Sequence, residues 1–179
     1  LNPDGSTVNS TNALPYHVGK QPLPKMTLGF STAVTYKNWD FSTSFYGAYG
    51  HYIYNNTTNA LFNKSSFGIR NVTESVATSA QSVGDSNKES TRYLEKGDFL
   101  RMGNLTVGYN FKGGFLDTLK ISALRLYANG SNLLLFTDYS GFDPEVDTDK
   151  TLNGIPSAGI DYFSYPKAKT FAFGLNVTF

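Results

Sequence analysis

Between Phe171 and Phe179 every odd position is large and apolar, and every even position is Ala, Gly, Asn or Thr. Alternation with a strict period of two describes a β-strand with one apolar face and one polar face. The stretch closes on Phe179 with no polar tail, whereas the termini of soluble chains usually fray into water. A strand of an outer-membrane β-barrel has these properties, because one face meets lipid and the other a watery lumen.

Four further segments alternate in the same way, so the expected fold is all-β. The strands fall near residues 25–37, 39–50, 98–111, 120–131 and 167–179. One face of the first carries Met26, Leu28, Phe30, Thr32, Val34 and Tyr36; one face of the second carries Trp39, Phe41, Thr43, Phe45, Gly47 and Tyr49. In the third, Leu105, Val107, Tyr109 and Phe111 share a face, and in the fourth Leu124, Leu126 and Ala128 do. None of the positions assigned to the apolar face is charged, while Asp40 and Arg125 fall on the other face. In a membrane this matters, because Arg or Lys facing mid-bilayer lipid costs about 2–4 kcal/mol.

Aromatics make up 15% of the chain and charged residues 16%, against about 25% charged in ordinary soluble domains. The mean hydropathy of −0.29 argues against membrane-spanning helices but not against a barrel, whose apolar residues are hidden in alternation. A net charge of +1 gives no reason to expect nucleic acid as a partner, and the absence of cysteine excludes disulfides and thiolate metal sites. Residues Leu1–Gly5 form a polar turn sequence, so an export signal, if there is one, is expected upstream.

The connections alternate between short (37–38 and 112–119) and long (51–97 and 132–166). Outer-membrane barrels pair short periplasmic turns with long extracellular loops. That parity makes 51–97 and 132–166 the expected extracellular loops, with a short helix expected near 74–81. It also gathers Tyr36, Trp39, Tyr109 and Phe111 at the periplasmic edge beside Phe179, as an aromatic girdle at the membrane interface. A soluble β-sandwich also alternates, but uncharged outward faces and edge-specific aromatics favour the barrel. Five strands cannot close a membrane barrel, which needs about eight at least, and open edges are intolerable in lipid. The chain is therefore expected to be the C-terminal piece of a longer barrel.

Three blocks resemble one family, the SusC/RagA class of TonB-dependent outer-membrane transporters of Bacteroidota. The first is Tyr93–Tyr109, which departs from the family pattern at Phe99, Met102 and Gly103. The second is Leu126–Leu133 followed by Tyr139-Ser140-Gly141-Phe142-Asp143-Pro144-Glu145. The third is Tyr165-Pro166-Lys167 through Phe179. The hairpin at Tyr36–Phe41 also fits, and residues 51–92 show little similarity. The resemblance implies a barrel of about 22 strands when complete, with an N-terminal plug and a TonB box outside this chain. It further implies a SusD-like surface lipoprotein as a lid, energy delivered by TonB, and import of oligosaccharides or peptides. A passive porin and a soluble surface-binding β-domain such as an adhesin or lectin are the alternatives.

Asn132, Tyr139, Gly141, Phe142, Asp143, Pro144 and Glu145 form the family-motif loop under this resemblance. Phe171, Phe173, Leu175, Val177 and Phe179 resemble the signal read by the barrel-assembly machinery. The acidic run Asp143, Glu145, Asp147 and Asp149 offers hard oxygen ligands suited to Ca²⁺, but it lacks the Gly and spacing of an EF-hand loop. A structural turn is the better expectation, and no metal or cofactor is assigned. His17 and His51 read as surface-loop histidines. The loop aromatics Tyr52, Tyr54, Phe62, Phe67, Phe142, Tyr162 and Phe163 either stack on sugars, pack on a lid or pack on themselves, with self-packing favoured. No G-x-S-x-G, H-E-x-x-H or P-loop pattern occurs, and no enzymatic activity is expected.

Overall fold

The structure is a computed structural model; it describes residues 17–61, 64–72, 74–78, 83, 90–146 and 157–179. In chain order the strands are β1 (Met26–Tyr36), β2 (Trp39–Tyr49), β3 (Tyr52–Asn55), β4 (Leu94–Lys96), β5 (Phe99–Phe111), β6 (Ala123–Thr137), β7 (Ile160–Asp161) and β8 (Thr170–Thr178). Three short α-helices are interspersed: α1 (Asn56–Leu61), α2 (Glu74–Ala77) and α3 (Gly114–Thr118). Among the described residues no helix is long and apolar enough to cross a membrane, which says nothing about crossing by strands.

The chain divides into two compact units. One, here called the wall, comprises 25–49, 98–138 and 166–179. Its five strands are antiparallel in the order β1-β2-β5-β6-β8. The registers keep each apolar set on one face. Phe30 pairs with Phe45, Val34 with Phe41, Phe41 with Val107, Tyr109 with Leu126, and Leu126 with Leu175. That face is open: Phe30 is 61% exposed and Phe173 83%. A sheet with so much exposed apolar area is stable only against an apolar medium or a packed partner.

One irregularity crosses the sheet. Gly103 of β5 is an extra residue against β2, whose Ser44 and Phe45 face Asn104 and Met102. On the other side Asn104 faces Ser131 and Met102 faces Leu134, leaving Asn132 and Leu133 in the gap. A β-bulge inverts the parity of the strand that carries it. Past Gly103 the even residues Leu100 and Met102 therefore share the face of Phe136 and Leu134, while Phe99 and Arg101 turn to the other side and are buried. The sixth strand continues through this bulge to Thr137, so the strand expected at 120–131 extends further and the expected loop at 132–166 is shorter. It starts at Ala123 because α3 and Lys120, at φ 54°, occupy the preceding turn.

The second unit, the loop unit, is formed by 50–97 and 139–165, with the residues up to Pro24. The segments expected as loops, 51–97 and 132–166, contribute a sheet of their own. β3 pairs antiparallel with β4 and parallel with β7. Ile53 is fully buried at its centre, and Val76, Tyr93 and Tyr139 are buried too. The helix expected near 74–81 is present as α2, and residues 79–82 lie outside the described residues. His51, expected on the surface, is 6% exposed: its ring fills the place a Cβ would take at Gly97. His17 is exposed, and its Nδ1 accepts a hydrogen bond from the Gly19 amide at 3.2 Å.

Candidate functional site

The polar face of the wall is organised by glycines that leave room for larger neighbours. Asp40 of β2 and Arg125 of β6 flank Gly108 of β5, and they form an ion pair across it. Arg125 Nε donates to Asp40 Oδ1 at 2.9 Å, its Nη2 to Oδ2, and Asn110 Nδ2 to Oδ1 at 2.7 Å. A Cβ on Gly108 would lie 2.4 Å from Asp40 Oδ2 and 2.6 Å from Arg125 Nη2. The pair thus exists because position 108 has no side chain. One strand further on, the Tyr127 ring lies over Gly174, and the Arg125 guanidinium sits 5.0 Å from the Tyr127 ring centroid. Both charges are about a quarter exposed, at 26% and 27%.

Towards the bulge the same face carries an amide and hydroxyl ladder. Asn129 Nδ2 donates to Asn104 Oδ1 at 2.9 Å and to Thr106 Oγ1 at 2.8 Å, and Ser131 donates to Asn129 Oδ1 at 3.4 Å. On the opposite, apolar face the Thr43 hydroxyl donates to the Asn104 carbonyl at 3.0 Å. A polar residue among apolar neighbours is tolerable there because its donor is satisfied. Asn132 takes φ 55° in the bulge, a left-handed conformation that Asn tolerates better than most residues. Its side chain donates to the Ala168 carbonyl at 3.1 Å.

The edge where β1 turns into β2 holds the expected aromatic group. Tyr36 pairs with Trp39, and Trp39 with Tyr109. The rings of Trp39 and Tyr109 meet edge-to-face at 4.8 Å, and those of Tyr109 and Phe111 at 4.9 Å. Thr178 pairs with Ala123 at this edge, so Phe179, 85% exposed, lies there too. Phe171, Phe173, Leu175 and Val177 line one face of β8 opposite Gly130, Ala128, Leu126 and Leu124.

In the loop unit the family-motif residues are brought onto two carboxylates. Tyr139, 5% exposed, donates its hydroxyl to Asp161 Oδ2 at 2.6 Å. Burial, and then the Asp161 carboxylate, push the Tyr139 hydroxyl far above the ordinary phenol range, so it remains a donor. The ring lies across Gly141, where a Cβ would come within 2.4 Å. Asp161 Oδ1 accepts from the Thr57 hydroxyl at 3.2 Å and the Ser164 amide at 3.3 Å. Glu95 receives the Ser140 amide at 2.9 Å, the Ser140 hydroxyl at 2.8 Å and Asn55 Nδ2 at 3.0 Å. Asn55 also caps α1, its Oδ1 accepting the Thr58 amide at 2.9 Å.

Asp143 is buried, and its Oδ1 accepts the Glu145 amide at 2.9 Å, the geometry of an Asx turn. Pro144 beside it is buried, and Phe142 is 67% exposed. Among the described residues no three acidic or histidine side chains cluster as a metal site; Asp147 and Asp149 lie outside them. The loop aromatics divide. Tyr54 packs edge-to-face on Tyr93 and Tyr52 carries the Lys20 ammonium 4.4 Å from its ring centroid, while Phe67, Phe142, Tyr162 and Phe163 are exposed. Phe62 lies outside the described residues. The Gly108 cradle and the Asp161 and Glu95 hubs were not anticipated. Alternation assigns a residue to a face but does not say which neighbour it touches.

No protein-family model matches the chain. Individual relatives do. TonB-dependent receptor P3 of Formosa agariphila is 35% identical over 166 residues, covering 88% of this chain and 17% of the relative. TonB-dependent receptor SusC of Bacteroides thetaiotaomicron is 31% identical over 169 residues, covering 91% of this chain and 16% of the relative. Among solved structures, the RagAB peptide importer in its closed-closed state superposes with a TM-score of 0.74 at 26% identity, over 90% of this chain and 18% of that one. Its open-open state gives a TM-score of 0.70.

The chain belongs to the SusC/RagA class of TonB-dependent receptors. It spans about a sixth of the length of these relatives. Receptors of this class are outer-membrane β-barrels, and the unclosed five-stranded sheet is a section of such a barrel.

Proposed function

We propose that the chain is a wall and loop segment of an active outer-membrane importer of glycans or peptides. The carrying observation is the two-faced wall: an uncharged apolar face across all five strands, and a polar face that carries the Asp40–Arg125 ion pair. Lipid suits the first face and a watery lumen the second. In this reading Tyr36, Trp39, Tyr109, Phe111 and Phe179 form the periplasmic interfacial girdle, and the last strand carries the assembly signal. The loop unit is extracellular. A SusD-like surface lipoprotein covers the barrel, and TonB acts on parts of the receptor outside this chain. The segment itself performs no covalent chemistry.

Uptake of labelled oligosaccharides and peptides by cells expressing the full-length receptor tests this reading. Import should stop when TonB is deleted or the proton-motive force is collapsed. Uptake that continues under both treatments would identify a passive porin instead.

A further inference from the structure

Two lysines stand where a turn normally takes glycine, and both lie at the edge of the wall that carries the aromatic group. Lys37 is the first of the two residues that join β1 to β2, and it takes φ 57°. Hairpin turns this short favour Gly, Asn or Asp at that position. Lys120 takes φ 54° at the end of α3. Its amide donates to the Asp117 carbonyl at 3.1 Å, and the Ile121 amide donates to the Leu116 carbonyl at 2.9 Å. This is the Schellman pattern, whose left-handed position is usually glycine. A left-handed backbone strains an L side chain, and such an outlier points to a use for the side chain that is kept there. Of the four non-glycine residues at positive φ among the described residues, Lys37 and Lys120 are the two that carry a charge.

The two turns share one edge. The Asn110 amide donates to the Asn38 carbonyl at 2.8 Å, which sets the β1–β2 turn beside the end of β5. The Ser122 amide donates to the Thr178 carbonyl at 2.7 Å, which ties the turn after α3 to the end of β8. Lys37, Lys112 and Lys120 are all exposed there. The Lys37 ammonium lies 5.3 Å from the centroid of the Tyr36 ring, and Tyr36 belongs to the apolar face. Opposing carboxylates are few. Asp117 is the one acid in 112–120, and Asp40 is held by Arg125 and Asn110.

We infer that this edge is a docking site for the headgroup of an anionic phospholipid, with Lys37 and Lys120 facing its phosphate and Tyr36 and Trp39 beside its glycerol backbone. The inference rests on the importer reading above, which puts the apolar face in lipid and the short turns on the periplasmic side. Charge complementarity selects the occupant. Three ammonium groups against one exposed carboxylate suit a lipid whose phosphate has no cation of its own, whereas a zwitterionic headgroup brings a further positive charge to the same place. An acidic protein surface would also complement lysines. The Lys37 ammonium, however, is held over a ring of the lipid-facing side, where a bilayer and not a soluble protein lies.

The test uses the full-length receptor in phosphatidylcholine vesicles that hold a minor share of phosphatidylglycerol. A photo-crosslinking residue replaces Leu119, which is 60% exposed beside Lys120. Mass spectrometry of the adducts should find phosphatidylglycerol about 25-fold above its share of the vesicle, about fivefold for each of Lys37 and Lys120 at an anionic headgroup. In the Lys37→Gly/Lys120→Gly receptor that excess should vanish. Gly adopts positive φ without strain, so this variant should assemble at least as well as the parent, as read by heat-modifiable electrophoretic mobility. Lys37→Arg/Lys120→Arg keeps both charges and should keep the excess. An undiminished excess in the glycine variant overturns the inference, as does its loss in the arginine variant. Adducts of the parent that match the vesicle composition overturn it too. All three results leave the importer reading standing. A parent receptor that yields no lipid adduct of either kind has no bilayer at this edge, and the importer reading then fails together with the inference.

Discussion

Gly108 decides the chemistry of the lumenal face at the turn end, because two charges meet through the space its missing Cβ leaves. Gly108→Ala should destabilise the assembled wall by about 1–3 kcal/mol through overpacking. Arg125→Met should cost about 1 kcal/mol, since a partly exposed ion pair contributes little. Combining the two should cost less than the sum, because the pair that Ala disturbs is already gone; urea unfolding in lipid vesicles measures this. Additive losses would show that Gly108 acts independently of the pair. Asn132 makes a similar case from backbone geometry. Asn132→Gly should be nearly neutral and Asn132→Ala should cost about 1–2 kcal/mol, because an L-residue strains at positive φ. Equal stabilities for both variants would assign the effect to the lost Ala168 hydrogen bond instead.

For the strands the governing variable is which face a residue occupies. Phe30 and Ser31 are neighbours on β1 that point to opposite faces, pairing with Phe45 and Ser44. Phe30→Arg should lower wall stability by about 2–4 kcal/mol in a bilayer, and Ser31→Arg by much less. Similar losses in both would mean that lipid does not cover the Phe30 face. The bulge at Gly103 limits how far such arguments extend along β5. Strict alternation would put Phe99 and Arg101 on the lipid side, but the extra residue turns them away and sends Leu100 and Met102 outward. The six residues 132–137 read as loop from sequence because the Asn132–Leu133 irregularity interrupts the pattern, yet pairing resumes at Leu134 and runs to Thr137.

The whole molecule joins a sheet with two free edges among its described residues to a compact loop unit. In lipid every strand edge must be paired, so β1 and β8 call for neighbours from the rest of a barrel. Assembly of that barrel should depend on the terminal strand. Phe179→Ser in the full-length receptor should reduce the amount reaching the outer membrane severalfold, measured by surface labelling against a co-expressed control porin. Unchanged surface levels would remove Phe179 from any part in assembly.

The sequence by itself determined the five wall strands, though not the sheet of the loop unit, together with the face of nearly every wall residue outside the bulge and the edge at which the aromatics gather. These follow from a local rule, the period of two imposed by the pleat, and from the lengths of the connections. Only the tertiary structure decided what depends on residues far apart in the chain. Asp40 meets Arg125 across 85 positions, and Thr57 meets Asp161 across 104. The cradle at Gly108 and the Asp161 hub exist only once separate segments are aligned. Alternation specifies a direction for a side chain, while a contact also requires register, and register is set by pairing and by bulges that no single segment encodes alone.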